Sequence, residues 1–183
     1  MTTIAVFGGS FNPPHVAHVQ AVRVVASRSD VERVLVVPCF SHPFDKALAP
    51  FEERLALCEV AFAGVPKVEV SRIEADLGGE SVTIRTLEEL RRRHPEARLA
   101  VVVGADVLPD WKNWFRVADI QKMAERIVLG RPGFPLPPGE TEMLPDVSST
   151  EIRRRLAADE PVDDLVPPAV QRRIRERGLY RAG

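Results

Sequence analysis

Apolar residues along this chain fall into two alternating rhythms. Short unbroken runs have the length and β-branched content of strands buried on both faces: Thr3–Gly8 (TIAVFG), Arg33–Pro38 (RVLVVP), Lys67–Arg72, Leu99–Gly104 (LAVVVG) and Arg126–Gly130. Between them, apolar positions recur every three or four residues, as on one face of a helix. Val16–Arg28 is rich in Ala and Val, and Pro50–Phe62 sets Phe51, Leu55, Cys58 and Phe62 on one stripe. Ser81–His94 begins at a capping hydroxyl, Ser81, and stops before Pro95. After a Pro/Gly loop at Arg131–Gly139, two closing helices are expected at Ser149–Ala157 and Pro167–Arg177.

This β-α-β-α order predicts the α/β class: a Rossmann-like, doubly wound parallel sheet with helices on both faces. No internal repeat, low-complexity tract or long linker divides the chain. A single domain over residues 1–183 is expected, with a short C-terminal helical part from about 148 to 183. Ligands of such sheets sit beyond the carboxyl ends of the strands. The loops after Phe7, Pro38 and Val103 should therefore surround one site.

The loop after the first strand carries unusual chemistry: Gly8-Gly9-Ser10-Phe11-Asn12-Pro13-Pro14-His15-Val16-Ala17-His18. Two glycines allow close backbone approach to a ligand, and Ser10 adds a hydroxyl. Asn12 before Pro13 reads as a helix start, an N-cap followed by proline in the first turn. His15 and His18, three apart, would then share a face beside the free N–H groups of a helix N-terminus, a phosphate site needing few lysines. The pattern is neither GxGxxG, with no acidic residue closing the second strand, nor a Walker A loop, with no Gly-Lys-Ser/Thr following.

Charge narrows the choice of ligand. The formal net charge is −1, so the basic excess of a nucleic-acid binder is missing; the late arginines at 153–155 and 172–177 lie among acidic residues. Cys39 and Cys58 have no metal-ligand spacing, which suggests free thiols in a reducing cytoplasm. No run approaches the ~18 apolar residues of a membrane span, and the N-terminus opens on a strand-like run where a signal peptide would stand.

Together these residues become recognisable. Gly8–His18 (GGSFNPPHVAH) resembles the first, HxGH-type signature of the nucleotidyltransferase superfamily. Val147–Arg153 (VSSTEIR) is similar to the ISSTxIR signature of its adenylyltransferases. Gly104-Ala105-Asp106, Trp114-Phe115, Gly130-Arg131-Pro132-Gly133 and the ending Leu165-Val166-Pro167 through Gly178-Leu179-Tyr180 resemble the nicotinate-mononucleotide adenylyltransferase family over nearly the whole chain.

The resemblance implies transfer of AMP from ATP to nicotinate mononucleotide, giving deamido-NAD and pyrophosphate, with Mg²⁺ carried by ATP and no dedicated metal site. It assigns His15, His18, Lys46 and Arg153 to catalysis on the phosphates. Gly8, Gly9, Ser10, Phe11, Gly104, Asp106, Ser149 and Thr150, again with Arg153, are assigned to ATP. Thr83, Trp114, Phe115 and Arg131 are assigned to nicotinate mononucleotide. Asp106 is equally readable as a helix N-cap, and Trp114 as core packing. The partners implied are small molecules, with no nucleic acid or membrane and with room for a homo-oligomer. Two segments depart from the family pattern. Ser41-His42-Pro43-Phe44-Asp45-Lys46 stands where a Pro-His-Lys run is usual. Ser81-Val82-Thr83-Ile84-Arg85-Thr86 lacks the tyrosine and aspartate of Ser-Tyr-Thr-x-Asp-Thr. Arg85 is the one cation in that second segment that could meet a pyridine carboxylate.

Overall fold

The computed structural model describes residues 2–41, 48–136 and 143–181. Five strands, β1 (Thr3–Gly9), β2 (Val31–Pro38), β3 (Val68–Val70), β4 (Arg98–Gly104) and β5 (Ala124–Leu129), form one sheet in the order β3-β2-β1-β4-β5. All four pairings are parallel. From β1 the chain adds strands on one side, then crosses to β4 on the other, so the direction of winding reverses between β1 and β4.

Alternation along each strand explains why the sheet needs cover on both faces. Ala5, Val34, Val36, Ala100, Val102, Ile127 and Leu129 enter one core; Ile4, Val6, Leu35, Val37, Leu99, Val101, Val103 and Val128 enter the other. The first core is closed by α1 (Val16–Ser27), α2 (Phe51–Phe62) and two C-terminal helices, α6 (Ser149–Ala157) and α7 (Pro168–Arg177). The second is closed by α3 (Ile73–Leu77), α4 (Thr83–Arg93), a 3₁₀ helix (Ala105–Asn113) and α5 (Val117–Met123).

The helix ends follow from local chemistry. In α4, Ile84, Leu87 and Leu90 make a buried stripe while Arg91, Arg92 and Arg93 occupy the last turn, where cations suit the helix dipole. Fully burying a leucine such as Leu87 contributes about 2 kcal/mol. In α6, Ser148 Oγ accepts from Glu151 N at 3.2 Å, an N-cap. Gly178 ends α7 in the left-handed conformation that an L side chain resists.

Two local expectations fail for physical reasons. Asn12 does not cap α1. The extended residue before that helix is His15, and Asn12 is buried, its Oδ1 accepting from Ala49 N at 3.1 Å and from Tyr180 Oη at 2.9 Å. Ser81 does not cap α4, where Val82 precedes the first turn; its Oγ instead accepts from Phe40 N and Ser41 N at 2.9 and 3.0 Å. Between β4 and β5 lie the 3₁₀ helix, with Pro109 inside it, and α5.

Candidate active site

A cavity of about 340 Å³ opens where the winding reverses, at the carboxyl ends of β1 and β4. Its floor comes from Phe7, Gly8, Val102, Val103 and Gly104 at those strand ends. The first loop supplies Ser10, Phe11 and Asn12, and the start of α1 supplies His15, Ala17 and His18.

The histidines are held by each other. Their rings stack, with centroids 3.6 Å apart and planes 21° from parallel. The backbone N–H of His15 donates to His18 Nδ1 at 3.2 Å, the reach-back from the third helical position to the cap. In neutral His18 this places the remaining proton on Nε2, a donor. The His18 ring also meets the Phe11 ring edge-on at 4.9 Å. Burial, reinforced by the Arg131 guanidinium, pushes the His15 pKa from its ordinary 6.5 down to about 3. Burial again, then His15, then Arg131, holds His18 well below its ordinary value. Both imidazoles are therefore neutral at pH 7: hydrogen-bond groups rather than cations. His15 Nδ1 is buried with no partner among the described residues.

The second motif is fastened across the first. Ser149 Oγ donates to Pro13 O at 2.9 Å, and Arg153 Nη1 donates to Asn12 O at 2.8 Å. Arg153 also approaches Thr150 Oγ1 at 3.4 Å. Ser148, Ser149, Thr150 and Arg153 all line the cavity, so hydroxyls and a guanidinium stand opposite the histidine pair.

A third wall carries charge of both signs. Asp106, in the first turn of the 3₁₀ helix, lies 3.6 Å from Arg131 Nε, beyond β5. Its carboxylate folds back over Gly104: a Cβ there would overlap the Asp106 carboxylate and come within 3.3 Å of Arg131 Cγ. Trp114 lines the cavity and packs at 4.6 Å on Trp111, which is buried core. Trp114 thus packs partly buried against the second core while also lining the cavity.

Other residues singled out from the sequence stand elsewhere. Gly9 is outside the cavity lining; its carbonyl accepts from Cys39 N at 2.9 Å and the Phe11 ring lies against it. Thr83, first residue of α4, does not line the cavity, nor does Phe115, which is 62% exposed. Arg85 is committed to the carbonyls of Leu77, Gly78 and Glu80, so it is not a spare cation for a carboxylate. Lys46 lies outside the described residues. Sequence reasoning missed the walls Val107, Leu144 and Val147, and the buried groups behind the loop, Arg54 and Tyr180. For Arg54 there was a signal: a charge inside the apolar stripe of Pro50–Phe62. Among the described residues no group of three His, Cys, Asp or Glu side chains is placed to hold a metal ion, and no described helix is long and apolar enough to cross a membrane.

Comparison with known proteins agrees with this geometry. The profile of the Cytidylyltransferase-like family matches residues 6–155. A protein of Anaeromyxobacter dehalogenans named "Probable nicotinate-nucleotide adenylyltransferase" is 48% identical over 181 residues, covering 97% of this chain and 96% of its own. One of the same name from Thermus thermophilus is 37% identical, covering 97% and 99%. Among solved structures, the nicotinic acid mononucleotide adenylyltransferase of Plasmodium falciparum complexed with NaAD superposes with a TM-score of 0.84 at 20% identity. That match covers 98% of each chain and shares the fold. With its sheet, its two signature motifs on one cavity and its full-length relatives, the chain belongs to the nicotinate-nucleotide adenylyltransferase family, a family of nucleotidyltransferases.

Proposed function

We propose that this enzyme joins the AMP moiety of ATP to nicotinate mononucleotide, releasing pyrophosphate and forming deamido-NAD, and that the whole chain acts as one catalytic unit in the cytoplasm. The observation that carries the reading is the fastening of Ser149 and Arg153 onto the backbone of the histidine loop, which brings both signature motifs to one cavity.

The substrate phosphate has a second pKa near ~6 and arrives ionised, so no side chain has to remove a proton. It attacks the α-phosphorus of ATP; a new P–O bond forms and the bond to the β-phosphate oxygen breaks, the electron pair leaving with pyrophosphate. What remains for the protein is alignment and neutralisation of charge. His18, neutral with its Nε2 proton available, donates to an α-phosphate oxygen as charge builds. His15, stacked behind it, fixes its plane. Arg153, Ser149 and Thr150 hold the departing β- and γ-phosphates, bidentate contact being the strength of a guanidinium. Asp106 accepts from ribose hydroxyls, and Trp114 stacks on the pyridine ring. Mg²⁺ arrives as part of the ATP substrate, since Asp106 is the only carboxylate lining the described cavity.

The test is pyrophosphate release with ATP and Mg²⁺, offering nicotinate mononucleotide, nicotinamide mononucleotide and phosphopantetheine in parallel. Preference for the first is the expected result. Preference for the amide would keep the mechanism and change the acceptor, a reading favoured by the engagement of Arg85 elsewhere. Nucleotide binding without turnover of any acceptor would reduce the protein to a binding module.

A further inference from the structure

Among the described residues Arg54 is the largest fully buried side chain, 1% exposed, on α2. Its Nε donates to Ala49 O at 2.8 Å and its Nη1 to Ser10 O at 3.0 Å. The guanidinium lies 5.7 Å from the centre of the Phe51 ring. Among the described residues it forms no ion pair with a carboxylate. The Glu74 carboxylate acts on it only from beyond ion-pair distance, and two carbonyls could be satisfied by a neutral amide, so the retained charge calls for a reason.

We propose that Arg54 is a positioning residue for adenylyl transfer, setting the Ser10–Phe11 peptide so that its N–H faces the phosphates and backing that peptide with buried positive charge. The Ser10–Phe11 bond is trans, so its N–H points opposite to its C=O. Arg54 draws Ser10 O into the interior and thereby turns Phe11 N toward the cavity that Ser10 and Phe11 line. No described residue accepts from Phe11 N, which leaves that donor to a ligand. A hydrogen bond from a guanidinium also polarises the peptide in the sense an anion requires.

Phe11 makes the support necessary. Its φ is +44°, a conformation an L residue with a bulky side chain rarely holds unless its surroundings impose it. The preceding peptide is gripped at Ser10 O by Arg54 and the Asn12–Pro13 peptide, one residue further on, at Asn12 O by Arg153, while the Phe11 ring is sealed against Phe7, His18 and Phe62. Arg153 stands on the cavity and touches what binds there; Arg54 acts only from behind.

This inference rests on the adenylyltransferase reading, so wild-type protein is assayed beside the variants Arg54→Gln and Arg54→Lys. Arg54→Gln, neutral but still carrying two N–H donors, should lower kcat by at least about tenfold, with KM for nicotinate mononucleotide within twofold of wild type. Arg54→Lys, charged but unable to span both carbonyls, should fall between. A purely structural role would lower the melting temperature and leave kcat of the folded variant unmoved. Both variants folded at the assay temperature with kcat within twofold of wild type would overturn the proposal. Should neither fold, the wild-type amide decides: titration with inorganic tripolyphosphate must shift the Phe11 N–H resonance, and an unmoved resonance overturns it equally. If wild type releases no pyrophosphate with any acceptor, the reaction reading fails, and the tripolyphosphate titration still decides whether Phe11 N–H meets an anion.

Discussion

Replacing Gly104 by alanine should separate activity from stability. The glycine sits at φ −75° and ψ 153°, a region open to any L residue, so the new methyl brings no backbone strain. The obstacle is the Asp106 carboxylate, which the added Cβ would overlap, with Arg131 Cγ at 3.3 Å as the next neighbour. Both are ends or stems of side chains at a cavity wall and can give way. To regain van der Waals contact the carboxylate must retreat on the order of 1 Å. Losing the unfolded-state freedom of glycine stabilises by about 0.4–1 kcal/mol. Moving Asp106 off its rotamer costs about 0.5–1.5 kcal/mol. Its half-exposed pair with Arg131 adds roughly 0–1 kcal/mol to that cost. These nearly cancel, and the melting temperature should stay within about 3 °C of wild type.

Catalysis tolerates less. A displacement of about 1 Å in a substrate-positioning group costs ~100-fold, or about 2.7 kcal/mol of barrier. The assay is kcat/KM by pyrophosphate release beside a thermal melt, repeated in an Asp106→Ala background. There the overlap is gone and the Gly104→Ala effect should largely vanish, the signature of coupled neighbours. A folded Gly104→Ala enzyme with wild-type kcat/KM would show that Asp106 and Arg131 do not touch the reacting molecules. A melt lowered by ten degrees would show that the added methyl meets something rigid.

Other expectations are more direct. His18→Ala should lower kcat by two to four orders of magnitude while circular dichroism stays native, because it removes the donor proposed for the α-phosphate and leaves the sheet untouched; a rate near wild type refutes the assignment. Acid should destabilise the protein through His15. Its folded pKa of about 3 lies below the ordinary 6.5, so its contribution is complete above pH 6.5 and is lost as pH falls toward 3. His15's share of the loss should be on the order of 2 kcal/mol by about pH 5, and His15→Leu should make that part of a denaturant-melt pH series shallower while His18 keeps a slope of the same sign. Tyr180→Phe removes the hydroxyl that donates to Asn12 Oδ1 at 2.9 Å and should cost about 1 kcal/mol in urea denaturation.

Most of the sheet was legible because strands buried on both faces betray themselves as unbroken apolar runs, as in Leu99–Val103. That a site would open beyond the carboxyl ends of the strands followed from the class of fold, and the cavity lies at the ends of β1 and β4. What could not be read was who holds whom. Asn12 before Pro13 satisfies every local rule for a cap, yet Ala49 and Tyr180 claim its side chain from 37 and 168 residues away. Ser81 likewise spends its hydroxyl on the end of β2. The charge state of the histidines was hidden for the same reason: it comes from burial and from Arg131, more than a hundred residues distant in sequence. Propensity is local, whereas desolvation and pairing belong to the assembled molecule.

The clamp between the first loop and α6 has a consequence for the birth of the enzyme. Ser149 to Pro13 and Arg153 to Asn12 join groups 136 and 141 residues apart, and Tyr180 adds a link across 168. A chain emerging from the ribosome displays its histidine loop early, but the partners that fix that loop follow 136, 141 and 168 residues later. Bringing such distant segments together is the slow, late step of folding. Synthesis should therefore yield a finished sheet before it yields a nucleotide site, so that unfinished or prematurely terminated chains neither hold ATP nor spend it.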